Sequence, residues 1–235
     1  MTQTVVRSLG NAGIQVTHGR LTLLVDPFFR GFEGVGTSQW EGAKQIERID
    51  LILVTHDHWD HFSPEEVAKA VQRTGAIVVC PATVAGKLKG KVPKSSVIEL
   101  EPRPAGGSGK YKGLRVELPG LTVTGFRTSH ARGHTSYLVE APGLRFLHDG
   151  DNEQTQHYDR NELMHLDALM LCPWQGSGWV EFIEAIKPRN WFLIHMTVDE
   201  LAEHARGEFF PGICDHVPME PVVLKPGESR EITEG

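Results

Sequence analysis

Apolar and polar residues alternate along the first part of the chain in short runs. Residues 4–8, 13–17 and 21–25 each read as a strand, with Gly, Asn and His at the turns between them. The third run ends at Asp26-Pro27, and a Gly-rich stretch at 31–36 follows, which we read as a surface loop near a site entrance. Residues 51–54 (LILV) are continuously apolar and predict a buried strand. Directly after it stands Thr55-His56-Asp57-His58-Trp59-Asp60-His61. Ser63-Pro64-Glu65-Glu66 then predicts a capping box opening a helix over 64–73, closed by Gly75. A strand follows at 76–80. The histidine run therefore sits at a strand-to-helix junction, where α/β sheets carry their sites.

The rest of the chain repeats this grammar. Residues 102–113 read as a loop, and strands are predicted at 114–118, 121–127, 135–140 and 144–148, with Pro142-Gly143 as a hairpin turn. Further strands fall at 166–171, 191–194 and 222–224. Helices are predicted at 179–186, stopped by Lys187-Pro188, and from a second capping box at Thr197-Val198-Asp199-Glu200 to about Arg206. Strands interleaved with helices twice over predict two sheets covered by helices, not one long parallel sheet. A chain of 235 residues with 40% apolar content can bury a core of that kind, and we read 1–235 as one domain.

Composition narrows the function classes. A net charge of -6 argues against a nucleic-acid backbone as the main partner. No apolar run approaches the ~20 residues of a membrane span. The start, MTQTVVRSLGNAG, lacks the basic-then-apolar layout of a secretory leader. Cys80, Cys172 and Cys214 form no CxxC pair and read as reduced, structural thiols. A cytoplasmic protein with a small-molecule substrate is the expectation.

His56 and His58 stand two apart in extended backbone, so both imidazoles can reach one cation. Asp60 and His61 follow as the chain turns and can face a second position. The competing reading is a set of solvated loop histidines. It has to account for three histidines and two aspartates within six residues, between a buried strand and a helix. Imidazole with carboxylate suits Zn, Fe or Mn better than Ca or Mg. Three later residues are placed as further ligands would be, each just past a predicted strand: His130, Asp151 and His195. Trp40, Trp59, Trp174 and Trp179 could line a cleft or pack in the core. Gly176-Ser177-Gly178 is not a nucleophile elbow, and the glycines of 31–36 lack a P-loop lysine.

The HxHxDH run of His56, His58, Asp60 and His61, followed by a lone His, a Gly-Asp and a last His, resembles the metallo-β-lactamase superfamily. Leu9-Gly10-Asn11-Ala12-Gly13, Leu24-Val25-Asp26-Pro27-Phe28, Gly133-His134-Thr135-Ser136-Tyr137 and Phe146-Leu147-His148-Asp149-Gly150-Asp151 resemble its UlaG-like, L-ascorbate-6-phosphate lactonase-like branch. The resemblance implies a four-layer αββα sandwich with the site at one edge of two sheets. It implies a first metal on His56, His58 and His130, a second on Asp60, His61 and His195, and Asp151 bridging them. Two divalent ions, foremost Zn, with Mn or Fe as alternatives, would hold a nucleophilic hydroxide. Asp60 would handle its proton, and His134 is a candidate catalytic, supporting or plain strand-start residue. That branch often has His where this chain has Asn11. His58 replaces the Glu typical of the diiron oxidoreductases, which favours hydrolysis. The gap between 151 and 195 is too short for an RNA-processing domain. A hydrolase of a small ester, lactone or phosphoester is the leading expectation. A non-catalytic metal-binding or sensing module, and a nucleic-acid phosphodiesterase, are the alternatives.

Overall fold

The computed structural model describes residues 2–27, 44–104, 109–173 and 176–232. Trp40, Trp174 and the Gly-rich stretch at 31–36 lie outside the described residues, as does part of the loop at 102–113.

Two seven-stranded sheets stack face to face. The first holds β1 (Thr4–Gly10), β2 (Gly13–His18), β3 (Leu21–Val25), β4 (Leu51–Leu53), β5 (Ile77–Cys80) and β6 (Val97–Glu99) in chain order. β14 (Ser229–Ile232) is added outside β1. The second holds β7 (Gly113–Leu118), β8 (Leu121–Arg127), β9 (Thr135–Ala141), β10 (Leu144–His148), β11 (Ala168–Leu171), β12 (Trp191–Leu193) and β13 (Val222–Val223), also in chain order. Each sheet begins as an antiparallel meander and continues in parallel. β3, β4, β5 and β6 run parallel, as do β10, β11, β12 and β13. The strands feeding the site therefore point their carboxyl ends to one edge.

Three apolar layers hold this together. Val6, Val16, Leu23, Leu53, Val123, Val139, Phe146, Met170 and Phe192 fill the space between the sheets. Helices α1 (Pro64–Thr74) and α2 (Ala82–Leu88) cover the first sheet through Val67, Val71, Val84 and Leu88. Helix α3 (Trp179–Ile186) covers the second through Phe182, Ile183 and Ile186, packed with Trp191 and Leu169. Each such side chain contributes about 1.5–3 kcal/mol when fully buried. The result is the expected αββα sandwich.

Several expectations are corrected. The predicted capping box at Ser63 does not form: Ser63 is the N-cap residue in extended backbone, but its side chain makes no capping hydrogen bond. Pro64 at the first helical position, which needs no partner for an N–H, and Gly75 at φ 75 still bound α1 as read. The box at Thr197 does form, opening α4 (Val198–Ala205) with both reciprocal bonds present. The sequence reading passed over α2, β6 and β14. Trp179 is a core residue, tilted against Trp191 with ring centroids 5.6 Å apart. Cys80 and Cys172 are buried, Cys214 is half-buried and all three are free thiols. Burial pushes the Cys80 thiol up to about 12, which removes it as a nucleophile. Among the described residues, no helix is long and apolar enough to cross a membrane.

The two serine/threonine caps differ in a measurable way. Thr197→Ala is expected to cost about 1 kcal/mol, because a capping bond is lost. Ser63→Ala should be close to neutral by comparison. Urea unfolding of both variants checks this, and equal losses would contradict the assignment.

Candidate metal centre

The site forms where the two sheets' carboxyl ends meet. Past β4 the chain stays extended and is clamped from both sides. Val54 N donates to Val79 O at 3.2 Å, Thr135 N donates to Thr55 O at 2.9 Å, and the buried Tyr137 hydroxyl donates to Val54 O at 2.9 Å. His56 and His58 emerge from this stretch on one side, with ring centroids 4.4 Å apart. A tight turn follows, in which His61 N and Phe62 N both donate to His58 O. It carries the chain on to Asp60 and His61, with the His61 ring centroid 4.2 Å from that of His56.

The second sheet supplies the remaining residues. His130 lies in the loop between β8 and β9, Asp151 follows β10, and His195 lies two residues past β12 at φ 62. All seven sequence-predicted ligand residues thus come together in space. The ligand atoms of His56, His58 and His130 lie within 4.8 Å of one another. The same holds for His56, His61 and Asp151, and for Asp60, His61 and His195. Asp151 is central: its Oδ2 is 3.1 Å from His61 Nε2, 3.5 Å from His195 Nε2, 3.6 Å from His130 Nε2 and 3.9 Å from His56 Nε2.

A cation fits the donor atoms found here. His56 Nε2, His61 Nε2, His130 Nε2 and Asp151 Oδ1 are buried and make no hydrogen bond. Orphaned buried polar atoms cost free energy unless something pairs them, and these four belong to one cluster. The electrostatics agree. Burial, reinforced by neighbouring imidazoles, holds His56 and His58 below the usual histidine range, so they are neutral and able to ligate. Burial works against ionisation of Asp151, yet His61 and His195 outweigh it and hold the carboxyl well below its ordinary value. Burial also opposes ionisation of Asp60, and the hydrogen bond from His195 with the charge of His61 overcomes it. His61 is pushed the other way. Burial lowers it, but Asp151 and Asp26 raise it well above the usual value. Carboxylates from three sides ask for positive charge at that position, which a proton or a metal ion can supply.

Behind these seven residues stands a layer of supports that sequence reasoning missed. Asp26 is fully buried at φ 45. It accepts from Thr55 N at 2.8 Å and from Thr55 Oγ1 at 2.6 Å, and its Oδ2 is 2.9 Å from His61 Nδ1. That contact leaves His61 Nε2 to face the cluster, the usual carboxylate–histidine–metal arrangement. Asp26 ends a strand just as the ligands do, and that signal could have found it. Glu153 Oε1 lies 2.9 Å from His130 Nδ1 and orients that ring in the same way. No motif announces it.

His134 was expected as a catalytic candidate. It is fully buried, with Nδ1 2.6 Å from Thr128 Oγ1 and Nε2 accepting from Asp151 N at 3.0 Å. Burial keeps its pKa well below the ordinary range, as an acceptor nitrogen requires. Both ring nitrogens are engaged, Nδ1 by Thr128 and Nε2 by the backbone of Asp151. Gly150 at φ 59 makes that support possible, because a Cβ there would stand 2.6 Å from His134 Nε2. Asp149 is buried too, bonded by Tyr158, Asn152 and Ser136, and burial lifts its carboxyl to about 7. Trp59, inside the ligand run, is 44% exposed.

An αββα sandwich with a histidine–aspartate cluster at its strand ends defines a class of metal-dependent hydrolases. The family model described as "Beta-lactamase superfamily domain" matches residues 22–207, and the chain belongs to that family. Among its relatives, a UPF0173 metal-dependent hydrolase of Nitratidesulfovibrio vulgaris is 32% identical, covering 97% of this chain and 95% of that protein. One from Thermococcus onnurineus is 26% identical over 97% of this chain and 99% of its own length. Among solved structures, the metallo hydrolase Igni18 of Ignicoccus hospitalis superposes with a TM-score of 0.67 at 17% identity, covering 97% and 98% of the two chains. The metallo-β-lactamase fold protein YhfI of Bacillus subtilis gives 0.66 at 14%, covering 98% and 100%. These two likenesses carry the fold.

Asp26→Ala would leave Thr55 and His61 with unpaired buried donors, at about 3 kcal/mol or more in total. Chemical unfolding measures it. A loss no larger than that of an ordinary surface substitution would refute the support role.

Proposed function

We propose that the protein is a dinuclear metallohydrolase acting on a small ester, lactone or phosphoester. The observation that carries this reading is the convergence of four imidazole Nε2 atoms on one oxygen of Asp151, several of them buried without a partner. His56, His58 and His130 would hold one divalent ion. Asp60, His61 and His195 would hold the second, with Asp151 shared. Zinc is the ion we propose, and the same donors accept manganese or iron. When bound, the ions lower the pKa of a water and polarise the substrate's carbonyl or phosphoryl oxygen.

The chain's own residues do the rest. Asp60, held ionised, accepts the proton of the attacking water on its carboxylate and returns it to the leaving oxygen, so the ester bond is cleaved with one water consumed. His61 is oriented by Asp26, His130 by Glu153 and Asp151 by His134. Their aim is set before substrate arrives, which is what stabilising a developing charge requires. We place His134 as a positioning residue and Asp60 as the catalytic base. The UlaG-like placement rests on the four motifs at 9–13, 24–28, 133–137 and 146–151. We read it as a cytoplasmic protein of one domain with a small-molecule substrate, a reading that the composition and the family match over residues 22–207 support.

Protein purified without chelator is expected to carry two equivalents of transition metal by elemental analysis. His58→Ala should lose at least one equivalent and most activity. Less than one equivalent in the wild type, together with unchanged activity in His58→Ala, would overturn the reading. A panel of esters, lactones and phosphodiesters with Zn or Mn added is expected to show turnover. Silence across it would favour a sensing module, and release of nucleotides from oligonucleotides would favour a nuclease.

A further inference from the structure

The turn between β1 and β2 touches the metal cluster through a residue that is not one of its ligands. Asn11 sits at φ 49, a left-handed conformation that Asn tolerates better than most side chains. Its Nδ2 donates to Asp60 O at 2.6 Å. Its own carbonyl accepts from His195 N at 3.0 Å, and it bridges to Met196 in antiparallel fashion. His195 is itself at φ 62. One residue thus braces the backbones of Asp60 and His195, whose side chains face each other with Nε2 3.3 Å from Oδ2. Asp60 belongs to the first sheet's loop and His195 to the second sheet's edge, so the brace spans the seam between them.

The other half of the cluster is held by different groups. His130 has Glu153, and Glu153 N donates to Ser129 O at 2.8 Å. His56 Nδ1 lies 2.9 Å from Thr55 Oγ1. The turn also has a second anchor that does not depend on the Asn11 side chain, since His148 Nε2 is 2.9 Å from Ala12 O. Removing that side chain should therefore leave the turn docked and disturb one half of the cluster only.

We propose that Asn11 is the positioning residue of the half-site made by Asp60, His61 and His195, fixing the distance across which those residues share an ion. The inference rests on the two-ion reading above. It deepens that reading by giving the second ion a support of its own.

The test is to challenge the zinc-loaded protein with graded chelator and follow zinc release. Wild type is expected to release two equivalents in two steps. His195→Ala, which should lack one step, assigns that step to its half-site. In Asn11→Gly, which keeps the left-handed backbone and the bond to His195, that step should move to lower chelator by about ten- to a hundredfold, the usual effect of losing a ligand's support. The other step should stay in place. If both steps hold their wild-type positions, or both move together, Asn11 has no selective role and the inference fails. A wild type that holds a single equivalent sinks the two-ion reading itself, and this inference with it. Should Asn11→Gly not fold, Asn11→Asp decides by the same criterion. It keeps the shape and tolerates the same backbone but offers no donor to Asp60.

Discussion

An ionised carboxylate that is almost wholly out of water sets the terms for this molecule. Asp151 is 3% exposed, and withdrawing such a charge from solvent costs several kcal/mol unless it is paired. The chain answers with four imidazoles from three different segments, all turned toward one oxygen. Those segments come from both sheets, so the sandwich has to stack with its strand ends in line. The parallel halves of the sheets, the clamps on residues 54 and 55 and the glycine at 150 all follow from that demand. A packed core of Val, Leu and Phe would tolerate many arrangements. The charge cluster tolerates few.

The supports show how such a site is kept in one geometry. Each imidazole that turns Nε2 inward needs something at Nδ1, or its ring is free to rotate. Asp26 serves His61, Thr55 serves His56 and Glu153 serves His130. The support for Asp151 is made differently, through a backbone N–H donated to His134. Polar networks of this kind fix a unique arrangement when every member is satisfied. The atoms left over point into the cluster, where a cation would satisfy them.

The sequence carried the seven clustered residues in plain view because they share one rule: each falls past the end of a strand, and strand ends are legible from apolar runs bounded by polar turns. Among the described residues, the same apolar patterning gave nearly all the strands and three of the four α-helices. What stayed hidden had no local signal. Helix α2 is short and contains Gly86. Strands β6 and β14 lie at sheet edges, where burial imposes little alternation. Glu153 acts through a partner distant in the chain, and nothing in its neighbours marks it. Ser63 shows the opposite failure, a correct helix start with a motif that does not close. There Ser63 stands at the N-cap position, but its side chain makes no capping hydrogen bond.

Asp60 and His195 are 135 residues apart in the chain. Contacts over such separations form late, because the entropy of closing the intervening segment must be overcome before they give anything back. The histidine run precedes the whole of the second sheet in chain order, so during synthesis it would emerge before the partners that the second sheet supplies. An early-arriving ion would meet three histidines and two aspartates on a loose segment, a flexible chelator with no fixed geometry. The finished protein would hold metal more selectively than its own nascent chain, and maturation would depend on the order in which ions and strands arrive.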